Sequence, residues 1–480
     1  MMKTRNIIIV GTLALLVFLT ACEDYLYREP RLSQTTELTL STYDGLVSGV
    51  IGTYDRLYNT NWYGRDFVVF ADMKGGNAKI GPISSGRYYT EYLWNNTPQA
   101  TAWLWQEAYR TIARANNVLE VLEGEFSEPG VEQEDLNALA AECKFLRALA
   151  YFDLARFFCQ PIAQGAGASQ LGVPVVLRTV IAEPARNTLG EVYDQVVQDL
   201  LDAEADLPAN NTHGGADSKA WATKYAAQAL LSRVYLYMER WQDAADYATK
   251  VISSGRFPLY TAEEYTTWDN GGVWGTDAAS EIIFEVYGAE GNSSHNNWDG
   301  LAYISNPTGY GDVAASRDVY DLYEDTDVRK AMFRNHPPDY VDALWYLKYP
   351  GKAPDGSIRI EDIPVLRVAE MYLNRAEALL NGASVSGANA LGDVNMIRNN
   401  RGATALGGVS LADVYKERRM ELCFEGHELF DLSRTGRSLT RTDFDGAVNK
   451  DIPFPDYRWA LPIPQQELDA NENMEQNPGY

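Results

Sequence analysis

Apolar residues at steps of three and four run through long stretches of this chain, and they limit its architecture more than any other feature. Over 136–157, Leu139, Cys143, Leu146, Ala150, Leu154 and Phe157 fall on one face of a helix that has to end before Pro161. From 223 onward, Ala227, Leu230, Leu231, Val234 and Met238 mark a second helix. After a break at Glu239-Arg240, Trp241, Ala244, Ala245, Ala248, Val251 and Ile252 mark a third, which stops at Ser254-Gly255. Val365, Val368, Ala369, Tyr372, Ala376, Leu379 and Leu380 repeat the pattern, followed by a helix over 388–398. Further helices are expected over 42–58, 101–122, 189–205 and 411–424.

Pairs of antiparallel helices with small residues where they meet follow the tetratricopeptide layout. Ser232, Tyr235, Ala244, Ala248 and Val251 fit its small, aromatic and alanine positions, and the step from Ser232 to Ala244 returns from Ala376 to Ala388. The expected fold class is therefore mainly α: a superhelix of tetratricopeptide-type helix pairs decorated by long aromatic-rich loops. The loops are 59–100 and 256–363, which lack periodicity and are rich in Gly, Asn, Asp, Pro and aromatics. Stretches of that length are disordered or functional, and their Trp and Tyr content argues for function.

Of the 480 residues 46% are hydrophobic and 22% charged, ordinary values for a chain that folds in water. Lys plus Arg number 41 against 66 Asp plus Glu, a net charge of −25, which repels phosphate backbones and disfavours nucleic acid as a ligand. Residues 1–21 read as a secretory signal: Lys3 and Arg5, an apolar run over 7–19 too short to span a bilayer, then Leu19-Thr20-Ala21-Cys22. That last pattern resembles a bacterial lipobox, which implies cleavage before Cys22 and acylation of it, giving a lipid anchor. Cys143, Cys159 and Cys423 remain. The first two lie in one expected helix, too far apart to pair, and all three are expected as small buried hydrophobes.

Several blocks stand in order along the chain: Cys22-Glu23-Asp24-Tyr25-Leu26; Ala141-Glu142 with Phe145-Leu146-Arg147-Ala148 and Tyr151-Phe152; Gly172-Val173-Pro174; 226–255; and Pro364-Val365-Leu366-Arg367 with Glu370-Met371-Tyr372-Leu373. Glu417-Arg418-Arg419, Phe424-Glu425-Gly426-His427 and the ending Gln476-Asn477-Pro478-Gly479-Tyr480 complete the series. Together these blocks resemble the SusD/RagB family of outer-membrane nutrient-binding lipoproteins. Cys159 departs from the glycine frequent after the long helix. The resemblance implies a signal peptide over 1–21, an N-terminal region of repeat helices and binding loops over 22–255, and a C-terminal region over 256–480 packed with it as one unit. It also implies capture, without covalent chemistry or a cofactor, of an oligosaccharide or in some members a peptide. The partner would be a SusC-like TonB-dependent β-barrel transporter, and the location the outer membrane, lipid-anchored and facing the cell exterior.

A pyranose offers a C–H face to a flat ring and a rim of hydroxyls to paired donors and acceptors. Three loop clusters carry that mixture: Trp62-Tyr63-Gly64-Arg65-Asp66; Arg87-Tyr88-Tyr89 with Trp94-Asn95-Asn96; and Asn296-Asn297-Trp298-Asp299 with Tyr303. The candidate ligand-binding residues are Tyr63, Arg87, Tyr88, Tyr89, Trp94, Asn96, Asn297, Trp298 and Tyr303. Family usage favours a platform of Trp298 with Tyr88, Tyr89 or Trp94, since Trp298 follows the expected strand Glu281-Ile282-Ile283-Phe284. Trp103, Trp105, Trp221 and Trp241 fall at helical positions and are expected in the core, whereas Trp268, Trp274 and Trp345 stay open.

No metal site is expected. His427-Glu428 lacks the second histidine of a zinc-protease helix, and Asp325-Thr326-Asp327 beside Arg329 and Lys330 reads as a solvated or capping run. Glu417-Arg418-Arg419-Met420-Glu421 reads as a structural ion-pair network. Two other classes stay open: a lipid-anchored glycoside hydrolase, because paired acids can lie far apart in sequence, and a repeat scaffold that binds proteins.

Overall fold

The structure, a computed structural model, describes residues 36–211, 213, 218–265, 274, 280–289, 291–292, 295, 298–335, 343–352 and 356–480. Cys22 with its leader, and Asn297, lie outside the described residues. The chain divides into two compact units, Met1–Gly49 and Val50–Tyr480. Helix Thr36–Thr39 belongs to the first, and the helical frame to the second.

The frame comprises α1 (Asp66–Gly75), α2 (Ala102–Leu122), α3 (Gln133–Phe158), α4 (Leu189–Asp206), α5 (Lys224–Tyr237), α6 (Trp241–Ser253), α7 (Val368–Leu380), α8 (Ala390–Asn400), α9 (Leu411–Leu422) and α10 (Glu428–Arg434). From α2 to α8 each helix packs on the next, as stacked helix pairs require, and α9 returns onto α7. The expected α/α contact of small residues is present: Ser232 Oγ of α5 donates to the Ala244 carbonyl of α6 at 2.9 Å, and Ala376 meets Ala390, Val394 and Val414 in one buried cluster. The starts of α4 and α9 carry reciprocal side-chain caps. Thr188 and Glu191 form a reciprocal cap on α4, and Ser410 and Asp413 one on α9. Helix α8 begins at Ala390 rather than 388 because Asn389 Oδ1 accepts from the Gly392 N–H at 2.8 Å.

Two regions differ from the expectation of plain loops. Segment 59–100 contains α1, all ten of whose residues are buried, so it lacks the polar stripe that marks a surface helix. Its Asp72 accepts from the N–H groups of Phe424 and Gly426 at 3.0 and 3.1 Å, tying α1 to the turn before α10. The strands are β1 (Ala78–Ile80), β2 (Ile282–Val286), β3 (Val313–Ala315), β4 (Phe333–Asn335), β5 (Leu344–Tyr346) and β6 (Ile363–Arg367). They form a four-stranded antiparallel sheet in the order β1-β3-β5-β4 and a two-stranded antiparallel pair, β2 with β6. Asn477 holds the far end of α3, its Nδ2 donating to the carbonyls of Phe158 and Leu461, both at 2.7 Å. Cys143, Cys159 and Cys423 are free and buried.

An ion-pair network lies where β2, β6 and α9 meet. Glu421 accepts from Arg367 Nη1 at 3.0 Å, Arg401 Nη2 at 2.9 Å and Arg329 Nη1 at 3.0 Å. Arg367 and Arg401 also reach Glu281 at 2.9 and 2.7 Å. All five side chains are fully buried. Burial alone would raise the Glu421 carboxyl, but Arg401, Arg367 and Arg329 hold it well below the usual carboxylate range. Removing one cation would leave buried carboxylates uncompensated. Arg401→Met is expected to lower the unfolding free energy by about 3–5 kcal/mol in urea titration; a loss below about 1 kcal/mol would contradict the network's role.

Glu361, buried beside Lys352 and Asp362, gives the opposite sign. Burial pushes its carboxyl up to about 8 despite Lys352 and the Gly351 N–H that donates to it at 2.7 Å. The folded chain thus keeps a proton that the unfolded chain has released above about 4.5. The stability that proton contributes is lost as pH rises from there through about 8. Glu361→Gln is expected to gain on the wild type steadily between pH 5 and 8.5 in thermal melts, and parallel curves would refute the assignment.

Candidate functional site

Three rings, two of them exposed, gather around the segment that begins at Trp298. The Leu301 N–H donates to the Gly64 carbonyl at 2.8 Å, starting a short helix, Leu301–Ser305. Past it the chain doubles back, with Gly309 N–H on the Asn306 carbonyl and Tyr310 N–H on the Tyr303 carbonyl at 2.9 and 3.0 Å. A Cβ at 309 would lie 2.1 Å from the Tyr303 carbonyl oxygen, so the reversal needs glycine. The turn sets Tyr310 edge-on to Tyr303 at 5.1 Å, and Trp298 edge-on to Tyr303 at 5.3 Å. Trp298 is 57% exposed and Tyr310 39%. Large rings left in water at this density mark a recognition surface rather than a core.

Charged groups frame the rings. Arg87 lies 4.8 Å from the Tyr310 ring centre and Arg359 4.6 Å from that of Trp298. Arg87 Nη1 donates to Asp299 Oδ1 at 2.5 Å, and Arg65 pairs with the other oxygen of Asp299 and with Asp66. The loop bearing Arg87 is fixed from below by buried Asp312, which accepts from the Ser85 N–H at 2.5 Å and from the Ser84 and Ser85 hydroxyls at 3.2 and 3.1 Å. Tyr89, half exposed, sits on the same loop. Flat rings beside cations and a carboxylate on braced loops can stack on a sugar face while pairing with its hydroxyls.

Arg87, Trp298 and Tyr303 are thus brought together, with Tyr89 on the adjoining loop. The other four described candidates are corrected: they are core residues. Tyr63 is packed between Trp62 and Phe67, with ring centres 5.7 and 4.6 Å away. Tyr88 is buried and donates to Asp66 at 3.1 Å. Trp94 is 2% exposed, enclosed by Lys74 at 3.8 Å and edge-on Trp459 at 4.8 Å. Asn96 is buried, accepting from Lys74 Nζ at 2.9 Å and donating to Glu91 at 3.2 Å. Burial holds the Lys74 ammonium down at about 7, and the Trp94 face and Asn96 serve that group rather than a ligand. Sequence reasoning passed over Tyr310, whose setting in Pro307-Thr308-Gly309-Tyr310-Gly311 announces a displayed turn, and Arg359, for which no local signal exists.

Among the described residues no group of three or more His, Cys, Asp and Glu could hold a metal ion. Asp327 is taken up by Arg329 at 2.7 Å and Asp325 by Lys330 at 2.7 Å.

A stacked helix-pair frame presenting an aromatic surface defines a binding module, and comparison places it. A SusD-like family described as starch-binding and associating with the outer membrane matches residues 24–236, and the SusD family matches 339–480. The chain belongs to the SusD/RagB family. It is 26% identical over 557 residues to SusD-like protein P25 of Formosa agariphila, covering 100% of both chains. It is 24% identical over 513 residues to the starch-binding protein SusD of Bacteroides thetaiotaomicron, covering 91% of this chain and 87% of that one. A crystal structure of a SusD superfamily protein from Bacteroides thetaiotaomicron superposes with a TM-score of 0.81 at 29% identity, over 91% of this chain and 100% of that one.

The burial difference between two loop tryptophans is directly measurable. Trp94→Ala is expected to cost about 3–5 kcal/mol, and Trp298→Ala no more than about 1 kcal/mol, in chemical denaturation. Equal losses would contradict this division of roles.

Proposed function

We propose that this protein is a non-catalytic lipoprotein that captures an oligosaccharide at the cell surface and passes it to a TonB-dependent outer-membrane transporter. The observation that carries the reading is the Trp298–Tyr303–Tyr310 cluster, with Trp298 and Tyr310 exposed, framed by Arg87, Asp299 and Arg359 on braced loops. Aromatic rings supply area for the apolar sugar face, and the ion-paired groups supply directional partners for hydroxyls. A relative named as starch-binding supports a glycan ligand, and the family description supports association with the outer membrane.

Attachment through acylated Cys22 accounts for membrane association without a spanning helix. Among the described residues no helix is long and apolar enough to cross a membrane. Delivery to a SusC-like barrel is part of this proposal; membership of the SusD/RagB family supports it, and the aromatic surface would then lie over a transporter mouth.

The test is a glycan array followed by titration of the best oligosaccharide. Saturable binding of intact oligosaccharide, weakened at least about tenfold by Trp298→Ala, is the expected result. Capture of a large β-barrel from detergent-solubilised envelope by the tagged protein is expected alongside it. Release of shortened sugars would convert the assignment to a hydrolase, and preference for peptides over every glycan would overturn the ligand class.

A further inference from the structure

A cavity of about 430 Å³ is lined by a different set of residues from the aromatic surface. Its walls come from α9, α10, Leu322 and the segment 437–440. Its volume falls within the range of small-molecule sites, roughly 300–1,000 Å³. Lys416 and Ser438 are exposed, so the mouth opens to solvent, while Leu432 and Leu439 give apolar walls.

The charge of these walls is opposite to that of the chain. In a molecule of net charge −25, the cavity carries Lys416, Arg419 and Arg437 against one carboxyl, Glu428. Neutral groups hold Arg419, whose Nε donates to Asn77 Oδ1 at 2.8 Å and Nη2 to the Gly76 carbonyl at 3.1 Å; Glu428 lies 3.8 Å away. Arg437 lies over the Tyr415 ring at 4.3 Å and donates through Nε to Thr435 Oγ1 at 2.7 Å, leaving its buried Nη2 without an acceptor. Glu428, 3% exposed, keeps Oε2 without a donor, and burial pushes its carboxyl up to about 7. Buried polar atoms without partners are costly, and here a missing acceptor and a missing donor belong to two residues of one cavity.

We propose that this cavity is a separate saccharide site selective for an acidic sugar, a hexuronate or the uronate end of an oligosaccharide. The sugar carboxylate is taken by Arg437 and Lys416, a ring hydroxyl donates to Glu428, and the C–H face rests on Leu432 and Leu439. A carboxylate answers the excess of cations, and a hydroxyl is the group that can satisfy a carboxyl oxygen lacking a donor. The site stands independently of the Trp298 surface.

The experiment is ligand-observed NMR and calorimetric titration of the full-length protein with sodium glucuronate, sodium galacturonate, glucose and acetate. The expected result is saturable binding of at least one uronate, with glucose and acetate weaker by about tenfold or more. Arg437→Met and Lys416→Met should each weaken that uronate at least about fivefold. Lys416 is exposed, so its variant keeps the test valid should Arg437→Met fail to fold. Glu428→Gln should narrow the gap between uronate and acetate, and Trp298→Ala should leave uronate binding unchanged. No saturable uronate binding, equal binding of glucose or acetate, or loss of uronate binding in Trp298→Ala with Lys416→Met unaffected would each overturn the proposal.

Discussion

One buried carboxylate, Glu421, fixes how the parts of this molecule meet. It is shared by Arg329, Arg367 and Arg401, which come from three separate stretches of chain, and two of those arginines are shared again with Glu281 at the entrance to β2. Ion pairs out of water recover little beyond their desolvation cost, so the network is weak as a source of net stability. Its consequence is geometric. Any sliding of β2 against β6, or of α9 against either, would strand a charge, and only one arrangement satisfies every group. The irregular register of the β2–β6 pair, with shifts on either side of Phe284, is held by these charges as well as by its ladder.

That constraint reaches the aromatic surface through the chain. Strand β2 leads by way of His295 into Trp298, and β6 begins a few residues after Arg359, the cation over the Trp298 ring. The two ends of the aromatic surface therefore spring from the two strands that the network clamps together. From the other side, Asp312 braces the loop carrying Arg87, and Arg87 and Arg65 both close on Asp299. Loops supply the variable chemistry and the buried charges supply their rigidity, which lets rings stay in water without collapsing inward.

Helices α2, α4 and α6 were legible because each has one wet and one dry side. Helix α4 and the α5–α6 pair follow their apolar stripes to within a residue or two, and their caps are written as Thr188-Glu191 and Thr223. Helix α1 was not legible for the same physical reason in reverse, since with every residue buried no stripe exists. The three-residue strands β1, β3, β4 and β5 are too short to show alternation. At the site the limit was burial. Trp94 and Trp298 both adjoin asparagines in sequence, yet Trp94 is buried against Lys74 and Trp459, the latter 365 positions later in the chain, whereas Trp298 is more than half exposed. No local pattern records a contact of that range, so composition could name the pool of rings but not choose among them.

The central claim is that a glycan lies across two loops at once, stacked on Trp298 and paired with the Arg87–Asp299 corner. Hydrogen–deuterium exchange of the full-length protein, with and without a saturating oligosaccharide, reads this directly. The account predicts slowed exchange in 298–311 and 84–89 together, with the long helices unchanged. Slowing confined to other segments, or none in either loop at saturation, would contradict it.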